Sequence, residues 1–257
     1  MILRRITKHV QDQNWTAIAI DFVIVVVGVF VGLQVSNWNA ARLHDRSERV
    51  YIERIREDIA ANQDDLRLRL SYFRQTRSHA LATLAALDKP SDSLGVPFLV
   101  DVYQASQIIP RGFGRDTYDE IISVGANSAI SNLAVRKRIA NYYSSVWAVI
   151  SILEETTSYR ETVRRTMPYG AQVAIRAACG DIIETRESGE PVISLPESCS
   201  VDLPPEAVSS AVAAIVERDL RDDLVRRLVD LDAKISFAHL IIDRAQLLDD
   251  YLAEASG

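Results

Sequence analysis

A chain of 257 residues, 48% hydrophobic and 25% charged, has the composition of one or two globular domains rather than of a disordered or low-complexity protein. Its net charge of −6 argues against a nucleic-acid partner, because a general nucleic-acid binder needs a dominant basic surface to displace counterions from phosphate. Residues 33–89, 126–167 and 206–256 contain no glycine or proline and predict an all-α fold, since sheet proteins turn more often.

The first predicted element is a single transmembrane helix over residues 15–38, preceded by a short cytoplasmic N-terminus, residues 1–14. Trp15 and Trp38 are 23 residues apart, and about 35 Å of helix suits two interfacial tryptophans around a bilayer core of about 30 Å. A cleaved signal peptide is the competing interpretation. Its apolar region would span about 7 to 15 residues, and the stretch QVSNWNAAR offers a poor cleavage site.

One face of this helix carries polar and small residues. At about 100° per residue, five positions lie within roughly 20° of one line: Asn14, Asp21, Gly28, Gly32 and Asn39. Two glycines four apart let another helix approach closely in lipid. The face therefore predicts binding to a second transmembrane helix, either another copy or a partner with a donor opposite Asp21. Snorkelling of Asp21 toward the interface near Trp15 is the alternative explanation of the carboxylate.

Charges that flank the helix do not decide its orientation. Three basic residues precede it and three follow it: Arg4, Arg5, Lys8, Arg42, Arg46 and Arg49. Large domains translocate regardless of modest flanking charge, and a pair of cysteines fits an oxidising compartment. We therefore expect the helical domain, residues 39–257, to lie outside the cytoplasm, with a cytoplasm-facing adaptor as the alternative.

Two stretches resemble an uncharacterised, domain-of-unknown-function family of bacterial single-pass membrane proteins. The first is HVQDQNWTAIAIDFVIVVVGVFVGLQVSNWNAAR, at residues 9–42, and the second is TYDEIISVGANSAISNLAVRKRIANYY, at residues 117–143. Together they make up about a quarter of the chain. The resemblance implies a membrane anchor and a helical domain, and it implies no activity. With the orientation argued above, the expected location is the bacterial inner membrane, with the domain in the periplasm.

Beyond Trp38, apolar residues recur at helical spacing and predict that the helix continues as a stalk until Pro90. The positions are Ile52, Ile55, Ile59, Leu66, Leu70, Phe73, Leu81, Leu84 and Leu87. Packing on its own domain is the favoured interpretation of this apolar face, and an intermolecular coiled coil is the alternative. A short helix is expected at residues 98–106, between two loops.

A helical hairpin is predicted next. Thr117 and Glu120 have the spacing of a capping box, Gly125 fits a helix stop, and Ser131 or Asn132 fits the next N-cap. The second helix of the hairpin is expected to continue as far as Met167.

The last helix carries a near-heptad series: Leu224, Leu228, Leu231, Ile235, Ala238, Ile242 and Ala245. Three long helices with shorter ones between them predict an elongated three- or four-helix bundle.

The two cysteines, Cys179 and Cys199, bound a loop at residues 179–199 that looks non-helical. We predict a disulfide between them, which on the chain-closure model contributes about 3 kcal/mol.

The sequence contains no catalytic, phosphate-binding or metal-binding motif that we recognise, so we expect no enzyme, no cofactor and no metal site. Two features rise above this background. Arg111 and Arg115 flank a Gly-Phe-Gly tip whose amides and guanidiniums suit a carboxylate or phosphate, although an ordinary turn is the simpler interpretation. Tyr142, Tyr143 and Trp147 place aromatic residues at near-helical spacing, which fits a core face better than a ligand pocket. A ligand would be expected between these two places.

These features favour a membrane-anchored helical interaction or scaffold protein, an accessory subunit of an envelope complex, whose partners are the lipid bilayer and another transmembrane helix. A homo-oligomer is one form of that pairing. A periplasmic ligand-sensing bundle is the second hypothesis, with the Arg111 and Arg115 loop as its recognition element.

Overall fold

The computed structural model describes residues 15–109, 112–125, 129–186, 189 and 191–256. The helices are α1 (Trp15–Ala86), α2 (Val96–Ala105), α3 (Asp116–Val124), α4 (Leu133–Glu154), α5 (Ser158–Thr166), α6 (Tyr169–Cys179), α7 (Pro205–Arg218) and α8 (Arg221–Ser256). A 3-10 turn covers Ser91–Ser93, and β1 (Ile182–Thr185) pairs with β2 (Pro191–Ser194) as an antiparallel hairpin with Ile183 opposite Ile193. The predicted all-α fold is confirmed, with this hairpin as a small addition.

Helix α1 runs for 72 residues without a break, about 108 Å at 1.5 Å per residue. Its N-terminal part is long and apolar enough to cross a membrane, and its side chains from Trp15 to Trp38 are exposed wherever they are described. From Ile52 onward the same helix buries one apolar face in the domain. The predicted continuation of the apolar helix beyond Trp38 is therefore confirmed, as far as Ala86.

Helix α8 packs antiparallel along the second half of α1. Arg56 binds Asp249 at 2.8 Å at one end of the contact, and Asp88 binds Arg221 at 2.6 Å at the other end. Between these ion pairs the α1 side chain of Ile59 is fully buried, as is that of Leu231 in α8. The apolar face of α1 thus packs on its own domain, as the favoured interpretation held.

Two hydrophobic clusters are stacked along α1. The proximal core lies between residues 52–73 of α1, α3, α4 and residues 231–252 of α8. The distal core lies beyond it, where the end of α1 and the start of α8 meet α2, α5, α6 and α7. Each fully buried Leu or Ile in these clusters contributes about 1.5 to 3 kcal/mol relative to an exposed one.

The expected long helix from Leu133 to Met167 is wrong, because α4 ends at Glu154 and α5 begins at Ser158. The ammonium of Lys234 donates to the carbonyl of Glu155 and so satisfies the end of α4. The hydroxyl of Ser158 donates to Asp223 at 2.7 Å and fixes the start of α5 on α8.

The predicted capping box at Thr117 is also wrong. Helix α3 begins at Asp116, and the Thr117 amide donates to the carboxylate of Asp58 on α1 at 3.2 Å. Glu120 binds Arg54 of α1 at 2.6 Å instead of its own helix terminus. Contacts with α1 therefore replace the hydrogen bonds that a capping box would make within α3.

The helix stop and the second cap of the hairpin are confirmed. Gly125 ends α3 with φ 91°, a left-handed conformation that favours glycine. Asn132 caps α4, because its side chain accepts from the amides of Ala134 and Val135.

The cysteine pair is bonded as predicted, with Cys179 and Cys199 at an S–S distance of 2.02 Å. The side-chain amide of Gln75 on α1 binds both the amide and the carbonyl of Leu195, at 3.0 and 3.1 Å. The segment between the cysteines is thus fastened to α6 at one end and to α1 beside β2.

Replacing both cysteines by serine is expected to lower the free energy of unfolding by about 3 kcal/mol, because the closed loop restricts the unfolded chain. Urea unfolding of the detergent-solubilised protein, with and without reductant, measures this. Reductant should shift the wild-type midpoint and leave the double variant unchanged. Equal midpoints for the oxidised wild type and the double variant would contradict the expectation.

Candidate functional site

A groove of about 430 Å³ lies between the Gly112–Arg115 loop and the outer face of α4. We call it the aromatic groove. Its lining residues are Phe113, Arg115, Tyr143, Val146, Trp147, Ala148, Ile150, Ser151 and Glu154. The structure therefore brings together Arg115, Tyr143 and Trp147, three of the five residues that the sequence suggested for a ligand. Arg111 lies outside the described residues, and Tyr142 lines a separate depression with Arg138 and Arg244.

Arg115 is held rigidly at the rim of the groove. Its guanidinium binds the carboxylate of Asp119, with Nε at 2.9 Å from one oxygen and Nη2 at 2.6 Å from the other. That hydrogen bond raises the pKa of Arg115. The same guanidinium lies 5.6 Å from the ring centroids of both Tyr118 and Trp147. The cation thus organises the aromatic rings, and its charge is already balanced by Asp119.

Tyr143 forms the floor of the groove. Its ring stacks on Tyr118 with centroids 4.4 Å apart, and Tyr142 meets it edge-on at 5.2 Å. Tyr143 is only 4% exposed, and its hydroxyl has no hydrogen-bond partner among the described residues. Burial raises the pKa of this phenol, so it is a neutral donor without an acceptor. Trp147, by contrast, is 68% exposed, so the favoured core-face interpretation is wrong for Trp147, although Tyr142 and Tyr143 are buried.

Two polar side chains of α1 position the loop beside the groove. Asn62 donates to the carbonyl of Gly114 at 2.7 Å and accepts from its amide at 3.0 Å. Arg69 donates to the carbonyl of Gly112 at 2.9 Å. A side chain at Gly114 would place its Cβ 3.3 Å from the Asn62 oxygen, so Asn62 would have to shift by a few tenths of an ångström to admit one. Phe113 is held between these two anchored residues.

Sequence reasoning missed a second, adjacent cavity of about 560 Å³ that is lined by Arg227 and Lys234. These side chains are 3% and 2% exposed, and both bind Asp230, at 2.8 and 3.3 Å. Burial lowers the pKa of Lys234, and the Asp230 carboxylate opposes that shift. The available signal was a Lys and an Arg inside the apolar series of α8, between Leu224 and Ile235.

The residues proposed for the membrane helix lie apart from both cavities. Trp15 and Trp38 are 70% and 67% exposed. Asp21, Gly28, Gly32 and Asn39 are exposed as well, and Asn14 lies outside the described residues. Apart from its chain neighbours and the backbone of its own helix, no described atom lies within 4 Å of a Cβ built at either glycine, so the face is open to another helix.

No protein-family model, curated protein or solved structure matches the chain. The family resemblance of the two sequence stretches therefore stays a prediction. Within the described residues no three His, Cys, Asp or Glu side chains are grouped as a metal site would require.

Tyr143→Phe is expected to leave the free energy of unfolding within about 0.5 kcal/mol of the wild type, because the lost hydroxyl has no partner. Tyr159→Phe is the matched control. Its hydroxyl is buried and donates to the carbonyl of Val102 at 3.1 Å, so the substitution should cost about 1 kcal/mol. Urea unfolding measures both. Equal losses in the two variants would show that the Tyr143 hydroxyl has a partner.

Proposed function

We propose that this protein is a single-pass protein of the bacterial inner membrane, whose helical domain binds partner proteins in the periplasm and performs no catalysis. The observation that carries the proposal is the aromatic groove, in which Trp147 is 68% exposed above rings that Arg115 holds in place. The loop that lines the groove is hydrogen-bonded to α1, and the N-terminal segment of α1 is apolar and exposed.

The exposure of the apolar part of α1 supports the anchor. A run of apolar side chains from Trp15 to Trp38 without protein cover is unfavourable in water, whereas lipid covers it at no cost in hydrogen bonds. The Cys179–Cys199 disulfide supports an oxidising compartment for the domain. In the alternative, the anchor has the opposite orientation, and the same domain faces the cytoplasm as an adaptor.

The composition of the groove supports a protein partner. Trp, Tyr and Arg are the residues most enriched among those that dominate binding energy at protein interfaces. Here Asn62 anchors the loop next to Arg115, and the ring of Tyr143 stacks on that of Tyr118. These side chains are therefore positioned before a partner binds. A preorganised surface loses little side-chain entropy on binding.

A ligand-sensing domain is the second candidate, and the floor of the groove favours it. The buried Tyr143 hydroxyl is an unused donor beside a cavity of about 430 Å³, a volume in the range of small-molecule sites. A small acceptor-bearing ligand would satisfy that donor.

Trp147→Ala is expected to reduce recovery of protein partners at least about tenfold, as for an interface residue that dominates binding. The measurement is crosslinking in intact cells, followed by purification of the tagged full-length protein and quantitative mass spectrometry. Val229→Ala is the control, because Val229 is 64% exposed and lines neither the groove nor the second cavity. An unchanged set of partners in Trp147→Ala would exclude the groove as the protein interface and leave the ligand-sensing candidate.

We also propose that the glycine face of α1 binds a second transmembrane helix, in the first instance another copy. Asp21, Gly28 and Gly32 lie on one line of the helix, and the line continues beyond the bilayer. Leu43 and Val50 fall within about 60° of the glycines on that side, and they are 63% and 53% exposed. Close packing at the glycines and apolar contact above them would support the same pairing.

Gly28→Leu and Gly32→Leu should abolish crosslinking between α1 helices while leaving membrane insertion unchanged, because a larger side chain separates the helices. Asp21→Leu should weaken the pairing if the partner helix has a hydrogen-bond donor opposite Asp21. Phe30→Leu is the control on the opposite side of the helix. Cysteine crosslinking in membranes measures the pairing, and wild-type crosslinking in both glycine variants would refute it.

A further inference from the structure

Three arginines on the surface of the distal core make no ion pair within the described part of the chain. Arg160 and Arg164 lie on α5, and Arg176 lies on α6. Among the described residues, their hydrogen-bond acceptors are all neutral oxygens. We call these three residues the arginine cluster. Arg160 and Arg164 are four apart on one helix, a spacing at which like charges destabilise the helix.

The cluster converges on the C-terminal end of α2. Arg160 donates to the carbonyl of Ser106 at 2.8 Å, and the side-chain oxygen of Gln107 accepts from Arg160 at 3.3 Å and from Arg164 at 3.1 Å. The guanidinium of Arg164 lies 3.7 Å from the ring centroid of Tyr103, whose hydroxyl accepts from Arg176 at 3.3 Å. Three positive charges thus surround a few neutral groups.

Carboxylates of the neighbouring helices have other partners. Glu161 binds Arg165 at 3.5 Å on the exposed side of α5. Asp223 accepts from the hydroxyls of Ser158 and Thr162, and Asp181 accepts from the hydroxyl of Tyr72 at 2.9 Å. None of these carboxylates forms an ion pair with the cluster, so within the described residues its three guanidiniums have no carboxylate partner.

One donor of the cluster remains unused. Nη1 of Arg164 is buried and has no hydrogen-bond partner among the described residues. Burial, together with the charges of Arg160 and Arg176, lowers the pKa of Arg164 to about 10. A buried charged donor without an acceptor is costly, and a bound oxyanion would remove that cost.

We propose that the arginine cluster binds the phosphate or carboxylate group of a soluble, low-mass ligand. Planar guanidiniums bind both groups through paired N–H donors. The headgroups of the anchoring membrane are not the source of the anion. Tyr72, at the level of the cluster, lies 34 residues beyond Trp38, or about 51 Å along the helix. This site is separate from the aromatic groove and does not depend on the function proposed for it.

The test titrates the full-length protein in a non-ionic, phosphate-free detergent with inorganic phosphate or with succinate, at constant ionic strength set with chloride. We expect saturable heat on titration calorimetry and a rise in the unfolding temperature with at least one of the two anions. Arg164→Gln and Arg160→Gln should weaken the apparent affinity about tenfold or more, the loss typical of one charge-assisted hydrogen bond.

Arg165→Gln is the matched control, because Arg165 lies on the same helix with its side chain 82% exposed and paired to Glu161. It should bind the anion as the wild type does. Without added anion, Arg164→Gln should be at least as stable as the wild type, since it removes an unbalanced charge. No saturable response to either anion, or equal responses in Arg164→Gln and wild type, would overturn the proposal.

Discussion

The antiparallel packing of α8 on the second half of α1 is the contact on which the other elements depend. An isolated helix as long as α1 gains little from propensity alone, and burial of one face stabilises it. That burial comes from residues such as Ile55, Ile59 and Leu66, which are fully buried, whereas the exposed ion pairs along the same contact each contribute only about 0 to 1 kcal/mol. The apolar residues therefore set the register, and α3, α4 and the distal helices pack on the resulting pair.

Polar residues on the buried side of α1 hold the loops of the domain. Asn62 and Arg69 are 3% and 1% exposed, yet they interrupt the apolar series without a penalty, because they satisfy loop backbone groups at Gly114 and Gly112. Gln75 does the same for the strand end at Leu195. These hydrogen bonds fix the loops to the longest helix, and two of them position the loop that lines the aromatic groove.

Sequence periodicity was sufficient to predict the long helices and the local ends at Gly125 and Asn132, because those features depend on residues a few positions apart. It failed where a distant residue decides the outcome. The break after α4 depends on Lys234, 79 residues beyond the carbonyl that it binds. The start of α3 depends on Asp58 of α1. In the groove, aromatic spacing predicted a core face, which holds for the buried Tyr143 and not for the exposed Trp147, while the anchoring role of Asn62 needed the fold.

The continuity of α1 also relates the glycine face to the domain. At about 100° per residue, Ile52, Ile55 and Ile59 lie roughly 140° to 240° around the helix from Gly28 and Gly32. The face proposed to bind a second transmembrane helix is therefore on the far side of α1 from α8 and the proximal core. Helix α8 and a second copy would not compete for the same surface. Pairing in the bilayer would bring the exposed side chains of Leu43 and Val50 together while the domains lie outward, so the anchor can assemble without unpacking the bundle.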